Sequence, residues 1–191
     1  NGVVLVTTKK GTKDGKIRTS DNGIVAVNMI KKEMDPLSAD EFRKYRVPNN
    51  QGVDQGGDTN WLDEITRTGF THQHTFTHSG STIKSNYHAS IDYRNSTGID
   101  LRSSREEYGG RFSLNHQAAN GLLDFSINIA PRIAYRNNSD RMAFTTALEA
   151  NPTTPVRDPN NPLLYSNFKG QAADFNPVEL LKLDQSGGDT K

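Results

Sequence analysis

Residues 83–94, with the sequence IKSNYHASIDYR, are the most informative segment of this chain because their side chains alternate in character. Apolar or aromatic residues such as Tyr87 and Ile91 occupy the odd positions, and strongly polar residues such as Asp92 occupy the even ones. Successive side chains of a β-strand point to opposite faces of its sheet. An alternation of this length therefore predicts a strand with one apolar and one polar face.

The alternation continues in two further segments. Tyr108 and Phe112 mark the apolar face of the next predicted strand, which runs in the even phase. Asn120-Gly121 then predicts a two-residue hairpin turn. The pattern resumes over residues 123–135 and predicts one strand of roughly a dozen residues, which is long for a globular domain.

Two more strands are predicted towards the start of the chain. Residues 24–31 favour a strand that Asp35-Pro36 ends, since proline cannot continue a backbone ladder. Residues 1–11 (NGVVLVTTKKG) are almost continuously apolar at their centre, which is typical of a strand covered on both faces. Residues 12–18 predict a polar linker. Because a covered strand needs neighbours, residues 1–11 also predict that the chain is an interior piece of a larger protein.

Short helices are predicted between the strands. Ser38 and Glu41 form a capping-box pair at the start of the first helix, and Pro48 is expected to stop it. A second helix is predicted at residues 60–65, with Asp58 or Thr59 as its N-cap.

The tail of the chain is predicted to hold a third helix. It lies near residues 141–150, before a proline-punctuated coil at residues 151–162 that only its surroundings could order. Residues 185–191 are predicted to be flexible.

Long and short connections alternate between the predicted strands. The long ones are residues 33–69 and 95–106 and the tail at 137–191; the short ones are residues 80–82 and the Asn-Gly turn. This alternation is typical of outer-membrane barrels, which have short turns at one end and long loops at the other. A soluble β-sandwich or barrel, with its apolar face inward, fits the side-chain pattern equally well. The sequence thus predicts an antiparallel all-β fold with both architectures open.

Composition limits the functional classes. The 191-residue chain has a net charge of +1 from 23 basic and 22 acidic residues, and the absence of a basic stripe argues against nucleic acid as a partner. Its hydrophobic content of 32% lies below the roughly 45–50% of globular domains. Such a low content is expected for strands with one face in water or for partial disorder. The chain has no cysteine, which excludes disulfides and thiolate metal sites.

Three histidines are the best candidates for metal ligands. His72, His74 and His78 recur on one face of a predicted strand, beside Phe76. Alternate residues of a strand are about 6.6 Å apart, so two of these histidines could reach one metal ion. A simpler explanation is that these histidines are ordinary polar residues of a strand, near a turn, and bind no metal. We therefore predict no metal site and no cofactor.

Catalysis is not predicted either. The acidic neighbours Glu106-Glu107 and Asp63-Glu64 suggest acid–base chemistry only superficially, because adjacent side chains point to different sides. The chain has no nucleophile elbow, phosphate-cradling loop or zinc-protease motif. The sequence predicts that the chain is not an enzyme and has no catalytic residue.

Two sets of side chains would matter in a membrane barrel. Tyr93, Tyr108 and Tyr135 lie near strand ends, where an aromatic girdle contacts the membrane interface. The polar face would point into a wet interior, where packing against a plug is its expected role. Its members are Lys84, Asn86, Asp92, Arg111, Asn115, Asp124, Asn128 and Arg132. No substrate-binding residue can be assigned.

Several segments in order carry a family resemblance. Residues 1–11 closely resemble the end of the plug domain in SusC/RagA-like TonB-dependent outer-membrane transporters. The later matches are LSADEF at 37–42, DTNWLDEITRTG at 58–69, HTFTHSG at 74–80, SNYHASIDYRNSTGI at 85–99 and ANPTTPVRD at 150–158. Each motif is weak alone, but together they span nearly the whole chain in the family's order.

The resemblance implies an architecture. The family has an N-terminal plug and a transmembrane antiparallel β-barrel of about 22 strands. Residues 1–17 would be the C-terminal end of the plug domain and its linker. Residues 18–191 would be the N-terminal part of the barrel, with about five strands and long extracellular loops. Alone, these strands cannot close a barrel and leave unpaired edges.

The resemblance also implies a function. The protein would import a nutrient, an oligosaccharide or a peptide, across the bacterial outer membrane as the SusC-like channel of a SusCD-type complex. Its implied partners are TonB, which acts through a segment outside this chain, outer-membrane lipid and a SusD-like surface lipoprotein. Loops 33–69 and 137–191 would reach that lipoprotein or the cargo.

Two alternatives to this function stay open. One is siderophore or cofactor uptake by the same barrel type. The other is a soluble β-rich carbohydrate-binding module, whose apolar residues would pack against a second sheet instead of forming an outward band about 25 Å tall. The residues that decide this are Tyr87, Ile91, Phe112, Leu114, Phe125 and Ile127.

Overall fold

A six-stranded antiparallel sheet dominates the structure, a computed structural model that describes residues 15–31, 35–168, 173 and 175–183. The first five strands are neighbours in chain order, and the sixth also pairs with the fourth. The strands are β1 (Arg18–Asn28), β2 (Gly69–Ser81), β3 (Ser85–Thr97), β4 (Ser104–Ala118), β5 (Leu123–Ile129) and β6 (Arg132–Asn137). The predicted antiparallel fold is confirmed. The strand predicted at residues 1–11 and the end at 185–191 lie outside the described residues.

The extents of β1, β3 and β4 differ from the prediction. The predicted strand at 24–31 is β1, which begins at Arg18 and ends at Asn28, because pairing with β2 holds its polar first half in the ladder. The predicted long connection at 95–106 is wrong. β3 and β4 continue through most of it to the pair Thr97 and Ser104, so the connection shrinks to residues 98–103.

The predicted strand at 123–135 is interrupted. Ala130 and Pro131 separate β5 from β6, since the proline nitrogen has no hydrogen to donate to the ladder. The Pro131 carbonyl still accepts a 3.0 Å hydrogen bond from the Gly110 amide. Both halves keep one register on β4, with Phe112 opposite Ile129 and Gly109 opposite Arg132.

The turn between β4 and β5 is longer than predicted. Ala119, Asn120 and Gly121 have φ angles of 48°, 53° and 92°, and the Leu122 amide donates to the Ala119 carbonyl at 3.2 Å. Asn and Gly tolerate such left-handed backbone. The hairpin therefore turns over residues 119–122 rather than over the Asn-Gly pair alone.

The sheet has one apolar and one polar face. Residues opposite each other in register share a face. The pairs Phe76–Ile91 and Phe112–Ile129 therefore lie on the same, apolar face of the sheet. Turns 82–84 and 119–122 lie at one end of the sheet, the turn end. The long connections leave from the other end, the loop end.

Four short α-helices of the described residues lie beyond the loop end. They are α1 (Ala39–Tyr45), α2 (Trp61–Ile65), α3 (Arg141–Glu149) and α4 (Pro177–Leu183). The capping box of Ser38 and Glu41 on α1 is confirmed. The N-cap of α2 is Asn60, whose side chain accepts from the Asp63 amide, and not Asp58 or Thr59. No helix among the described residues is long and apolar enough to cross a membrane.

Pro48 does not simply end the first helix. It lies inside a 3-10 turn, Val47–Asn49, that follows α1. Proline fits there because its missing amide hydrogen falls at the start of the turn, where no helical partner is required.

We call the described residues of 35–68 and 138–183 the loop layer. It has its own apolar core, which α2, α3 and α4 share. The buried members are Trp61, Ile65, Ala143, Ala147, Ala150, Phe168, Ala173, Val178 and Leu181. The helix predicted at 141–150 is confirmed as α3. Helix α4 and the small hairpin of β7 (Arg157–Asp158) and β8 (Asn161–Tyr165) were not predicted.

The proline-punctuated coil at 151–162 is ordered by its neighbours. The Gly57 amide donates to the Thr153 carbonyl at 2.6 Å, and the Thr59 amide donates to the Pro152 carbonyl at 2.8 Å. Thr153 is fully buried. A Cβ on Gly57 would lie 2.8 Å from the Thr153 carbonyl oxygen, so only glycine permits this close approach. The two long connections therefore fold as one layer.

Candidate functional site

The polar face of the sheet carries a continuous set of hydrogen-bonding side chains. One row crosses three strands: Asn115 Nδ2 donates to Asn86 Oδ1 at 2.9 Å, and Ser126 Oγ donates to Asn115 Oδ1 at 3.0 Å. Of the eight residues predicted for this face, seven lie on it by register. The exception is Lys84, which lies in the turn before β3.

An ion pair on this face spans two strands. Asp92 on β3 and Arg132 on β6 both lie opposite Gly109 on β4. Arg132 Nη2 donates to Asp92 Oδ2 at 3.2 Å. A Cβ on Gly109 would lie 2.4 Å from Asp92 Oδ1. The missing side chain at Gly109 thus gives the carboxylate room to lie over β4, where Arg132 reaches it.

Glu107 is the most deeply buried charge of the sheet, with its side chain 2% exposed. Arg105, next along the same face of β4, donates to its carboxylate. Arg132 approaches the same oxygen at 3.6 Å, and Arg94 acts on it through space. These cations offset the cost of removing a carboxylate from water.

Arg111 stands apart from this network. It lines a polar depression of about 300 Å³ together with His88, Asp92 and Arg132. Ser90, its cross-strand partner on β3, is small. Within the described part of the chain, the Arg111 side chain forms no hydrogen bond or ion pair. The depression therefore holds an exposed guanidinium without a counter-charge of its own.

The opposite face of the sheet is apolar and uncovered. Ile91, Phe112, Phe125 and Ile129 are 65%, 40%, 55% and 56% exposed. Among the described residues, the only other sheet is the β7–β8 hairpin of the loop layer. The second sheet that a soluble sandwich requires is absent from the described residues. An exposed apolar surface of this extent marks contact with a membrane or a partner.

The three tyrosines predicted for a girdle come together at the loop end of the apolar face. Tyr93 and Tyr108 face each other across β3 and β4, with ring centroids 5.0 Å apart. Their hydroxyls donate to the same Glu106 oxygen at 3.0 and 2.7 Å. Tyr135 lies opposite Glu106 on β6. The carboxylate thus joins Tyr93 and Tyr108, and Tyr135 lies beside it on the next strand.

The histidines of β2 share the apolar face, as predicted from their spacing. The rings of His72 and His74 are 5.8 Å apart. Hydrogen bonds join His78 Nδ1 to Thr19 Oγ1 at 2.9 Å and His78 Nε2 to Tyr87 OH at 3.0 Å. The described residues contain no group of three or more His, Asp or Glu side chains placed to hold a metal ion.

The connection at 98–103 fastens the loop layer to the sheet. The Leu101 amide donates to the Ile65 carbonyl at 3.1 Å, and the Arg67 amide donates to the Ile99 carbonyl at 2.7 Å. Burial raises the pKa of Asp100, but hydrogen bonds from Ser103 and from the Arg102 amide outweigh it and hold the pKa below its usual value. Asp100 is thus a charged anchor within the connection.

The sequence predicted the two faces of the sheet but not the ion pairs within the polar face. Glu107 and Arg105 were not selected, because their pairing depends on the burial that neighbouring strands impose. Gly109 gave a usable signal: a glycine inside a predicted strand indicates a close approach by another group. The isolation of Arg111 follows only from the register of three strands.

Curated proteins of known type match the chain, although no protein-family model does. The chain is 29% identical over 178 residues to the TonB-dependent receptor SusC of Bacteroides thetaiotaomicron, covering 87% of this chain and 17% of that protein. It is 35% identical over 109 residues to the TonB-dependent receptor P3 of Formosa agariphila, covering 56% of this chain and 11% of that protein. The chain spans less than a fifth of the length of either relative.

Solved structures share the fold. The RagAB peptide importer in its closed-closed state superposes with a TM-score of 0.70 at 18% identity, covering 90% of this chain and 24% of the importer chain. A second RagAB peptide transporter structure also gives 0.70, at 20% identity, covering 90% and 24%. The sheet of this chain thus shares the fold of these transporter structures.

These similarities first define the class: the chain is related to the TonB-dependent transporters. More narrowly, it is a relative of the SusC/RagA-like transporters, as the resemblance of its motifs predicted.

Proposed function

We propose that this chain is part of an outer-membrane transporter that imports an oligosaccharide or a peptide with energy delivered by TonB. The observation that carries the proposal is the uncovered apolar face of a sheet whose polar face is hydrogen-bonded and charged. In a barrel wall, the apolar face contacts lipid and the polar face contacts the wet interior. Relatives named as receptors and importers support transport rather than catalysis.

The proposal assigns residues 1–17 to the end of a plug and its linker, and residues 18–191 to the start of the barrel. The turn end of the sheet, with turns 82–84 and 119–122, would then face the periplasm. The loop layer would face the cell exterior, where it would meet a SusD-like lipoprotein. Its single apolar core supports this role, because the layer presents a preformed surface rather than separate loops.

A soluble carbohydrate-binding module fits the structure less well. Such a module would place Ile91 and Ile129 against a second sheet, yet they are 65% and 56% exposed. Siderophore or cofactor uptake by the same barrel type differs only in cargo, so uptake experiments decide between these functions.

Uptake by the intact protein tests the function directly. Strains that lack this gene, or lack TonB, would receive labelled oligosaccharides and peptides in parallel. We expect both deletions to abolish uptake of the same cargo, and reintroduced wild-type gene to restore it in the TonB-containing strain. Normal uptake of every tested oligosaccharide and peptide without the gene would refute the proposed import function.

Engineered cysteines test the orientation of the sheet. The chain contains no cysteine, so Ile129→Cys and its neighbour Asn128→Cys report on opposite faces of β5 within a background cleared of other thiols. In lipid vesicles, a water-soluble maleimide should modify Asn128→Cys and spare Ile129→Cys. A lipid-soluble maleimide should modify Ile129→Cys. Equal reaction of both with the water-soluble reagent would contradict the membrane orientation.

A further inference from the structure

Among the described residues, the two carboxylates nearest to Arg111 on the polar face are already engaged by other arginines. Asp92 is engaged by Arg132 at 3.2 Å, and Glu107 is engaged by Arg105. Arg111 lines the same depression as Asp92 but pairs with neither carboxylate. Both nearby carboxylates are therefore paired with other arginines, and Arg111 adds a positive charge to the depression that neither carboxylate pairs with.

The surroundings of Arg111 make the depression accessible. Ser90 lies opposite it on β3, and Ala130 lines the other side at the break before Pro131. Gly109 precedes it on the same face of β4. Small residues on three sides leave the guanidinium standing in an open space of about 300 Å³. Pockets for small ligands begin at about this volume, so the space fits one unit of a longer molecule.

From this geometry we propose that Arg111 and the depression around it bind a carboxylate group of the cargo. The inference rests on the proposed function, and it assigns to Arg111 a place on the transport path instead of the plug packing expected for the rest of this face. A guanidinium presents a planar fork of donors that matches the two oxygens of a carboxylate. Arg132 stays engaged with Asp92, and His88 at the rim can add a hydrogen bond.

The site predicts a preference for acidic cargo. Oligosaccharides supply the carboxylate through uronic acids, and peptides supply it through their C-terminus or acidic side chains. These sources share one chemistry at Arg111. They differ in the rest of the molecule, so matched pairs of probes separate them.

Calorimetry on the intact purified protein tests the site. The saccharide pair is trigalacturonic acid against neutral galactotriose, and the peptide pair is trialanine against trialanine amide. We expect the acidic member of one pair to bind at least about tenfold more tightly, and that difference to fall with rising salt. The pair that shows the difference identifies the source.

Variants assign the difference to Arg111. Arg111→Gln should abolish the preference for the acidic member, and Arg111→Lys should retain part of it. Arg136→Gln is the matched control, because Arg136 is an exposed arginine on the same face without a partner among the described residues. It should keep the full preference. Absence of any carboxylate preference in the wild-type protein, or its persistence in Arg111→Gln, would overturn the inference.

A second result would also overturn it. If Arg111 pairs with an acidic residue elsewhere in the same protein, Arg111→Gln should lower the thermal midpoint and leave probe binding unchanged. TonB-dependent uptake in cells separates the two proposals. Normal uptake with no carboxylate preference removes only the Arg111 site, whereas failure of TonB-dependent uptake removes the transport function.

Discussion

The sheet and the loop layer bury opposite kinds of side chain. In the sheet the buried residues are polar, such as Asn86, Glu107 and Ser113, while large apolar residues such as Ile91 stay exposed. In the loop layer the buried residues are apolar, and Trp61 is 3% exposed. One chain thus contains an ordinary hydrophobic core and a sheet that buries polar residues and exposes apolar ones.

This difference is the one expected if, as proposed, the loop layer folds in water and the sheet folds in a membrane. The hydrophobic effect stabilises only apolar surface that is removed from water. The loop layer gains from it internally through its three-helix core. The apolar face of the sheet is not covered by other described residues. The side chains of its polar face form hydrogen bonds across the strands. Substitutions in the two regions should therefore respond differently to the medium.

The largest effect is expected in the loop layer from Trp61→Ala. The indole packs edge-on against Phe168 with centroids 5.2 Å apart, and its Nε1 donates to the Asn151 carbonyl at 3.0 Å. Emptying this site should destabilise the layer by about 3–5 kcal/mol. Hydrogen exchange should increase in α2 and α3, with β2 to β4 unchanged. The matched control is Leu163→Ala, because Leu163 is 86% exposed and should change nothing.

The next largest effect distinguishes a bilayer from water as the surroundings of the apolar face. Ile91→Lys places a charge at the middle of the apolar face, which should cost about 2–4 kcal/mol in a bilayer. A surface change of this kind in a water-soluble protein falls within about 0.5 kcal/mol. Urea unfolding from lipid vesicles measures the difference. Asn128→Lys, on the opposite face, is the control and should be nearly neutral; equal effects of both changes would contradict the assignment of the faces.

Within the sheet, Glu107→Gln should have a smaller effect. The substitution keeps the shape but removes the charge that Arg105 and Arg132 surround. Both arginines are partly exposed, so water recovers some of the loss, and we expect about 2 kcal/mol. The urea midpoint in detergent is the measurement. Glu149→Gln, at the exposed end of α3, should leave that midpoint unchanged, and an unchanged midpoint for Glu107→Gln would show that the network is not stabilising.

Most of the sheet could be predicted because its signal is local. Alternation along residues 83–94 and 123–135 gives the strands and their two faces without knowledge of the partners. The ends could not be predicted, since Arg18 and Thr97 belong to strands only through cross-strand pairing. Turn 119–122 likewise depends on three successive left-handed residues, of which only Asn and Gly signal themselves.

The candidate site was less predictable than the fold. The pair of Asp92 and Arg132 joins residues on nonadjacent strands, and it depends on the gap at Gly109. No local pattern encodes that distance. Within the loop layer, three helices were predicted but α4 was missed for a related reason: its stability depends on packing against α2 and α3.

The smallest effect concerns the junction between the two regions and depends on pH. Asp100 is 5% exposed, and its carboxylate accepts hydrogen bonds from the amides of Arg102 and Ser103 at 2.9 and 2.6 Å. These bonds outweigh burial and keep the pKa of Asp100 below its usual value. A carboxyl with a lowered folded pKa stabilises the fold above its unfolded pKa, about 3.9, and loses that contribution as pH falls through the folded pKa.

Asp100→Asn should therefore loosen the junction by about 1 kcal/mol at neutral pH. The difference from wild type should shrink once pH falls below about 4. Hydrogen exchange of residues 98–103 across this pH range measures it. Ser103→Ala removes one donor and should give part of the same loss with the same pH dependence. A difference that stays constant to strongly acidic pH would show that shape rather than charge at Asp100 joins the loop layer to the sheet.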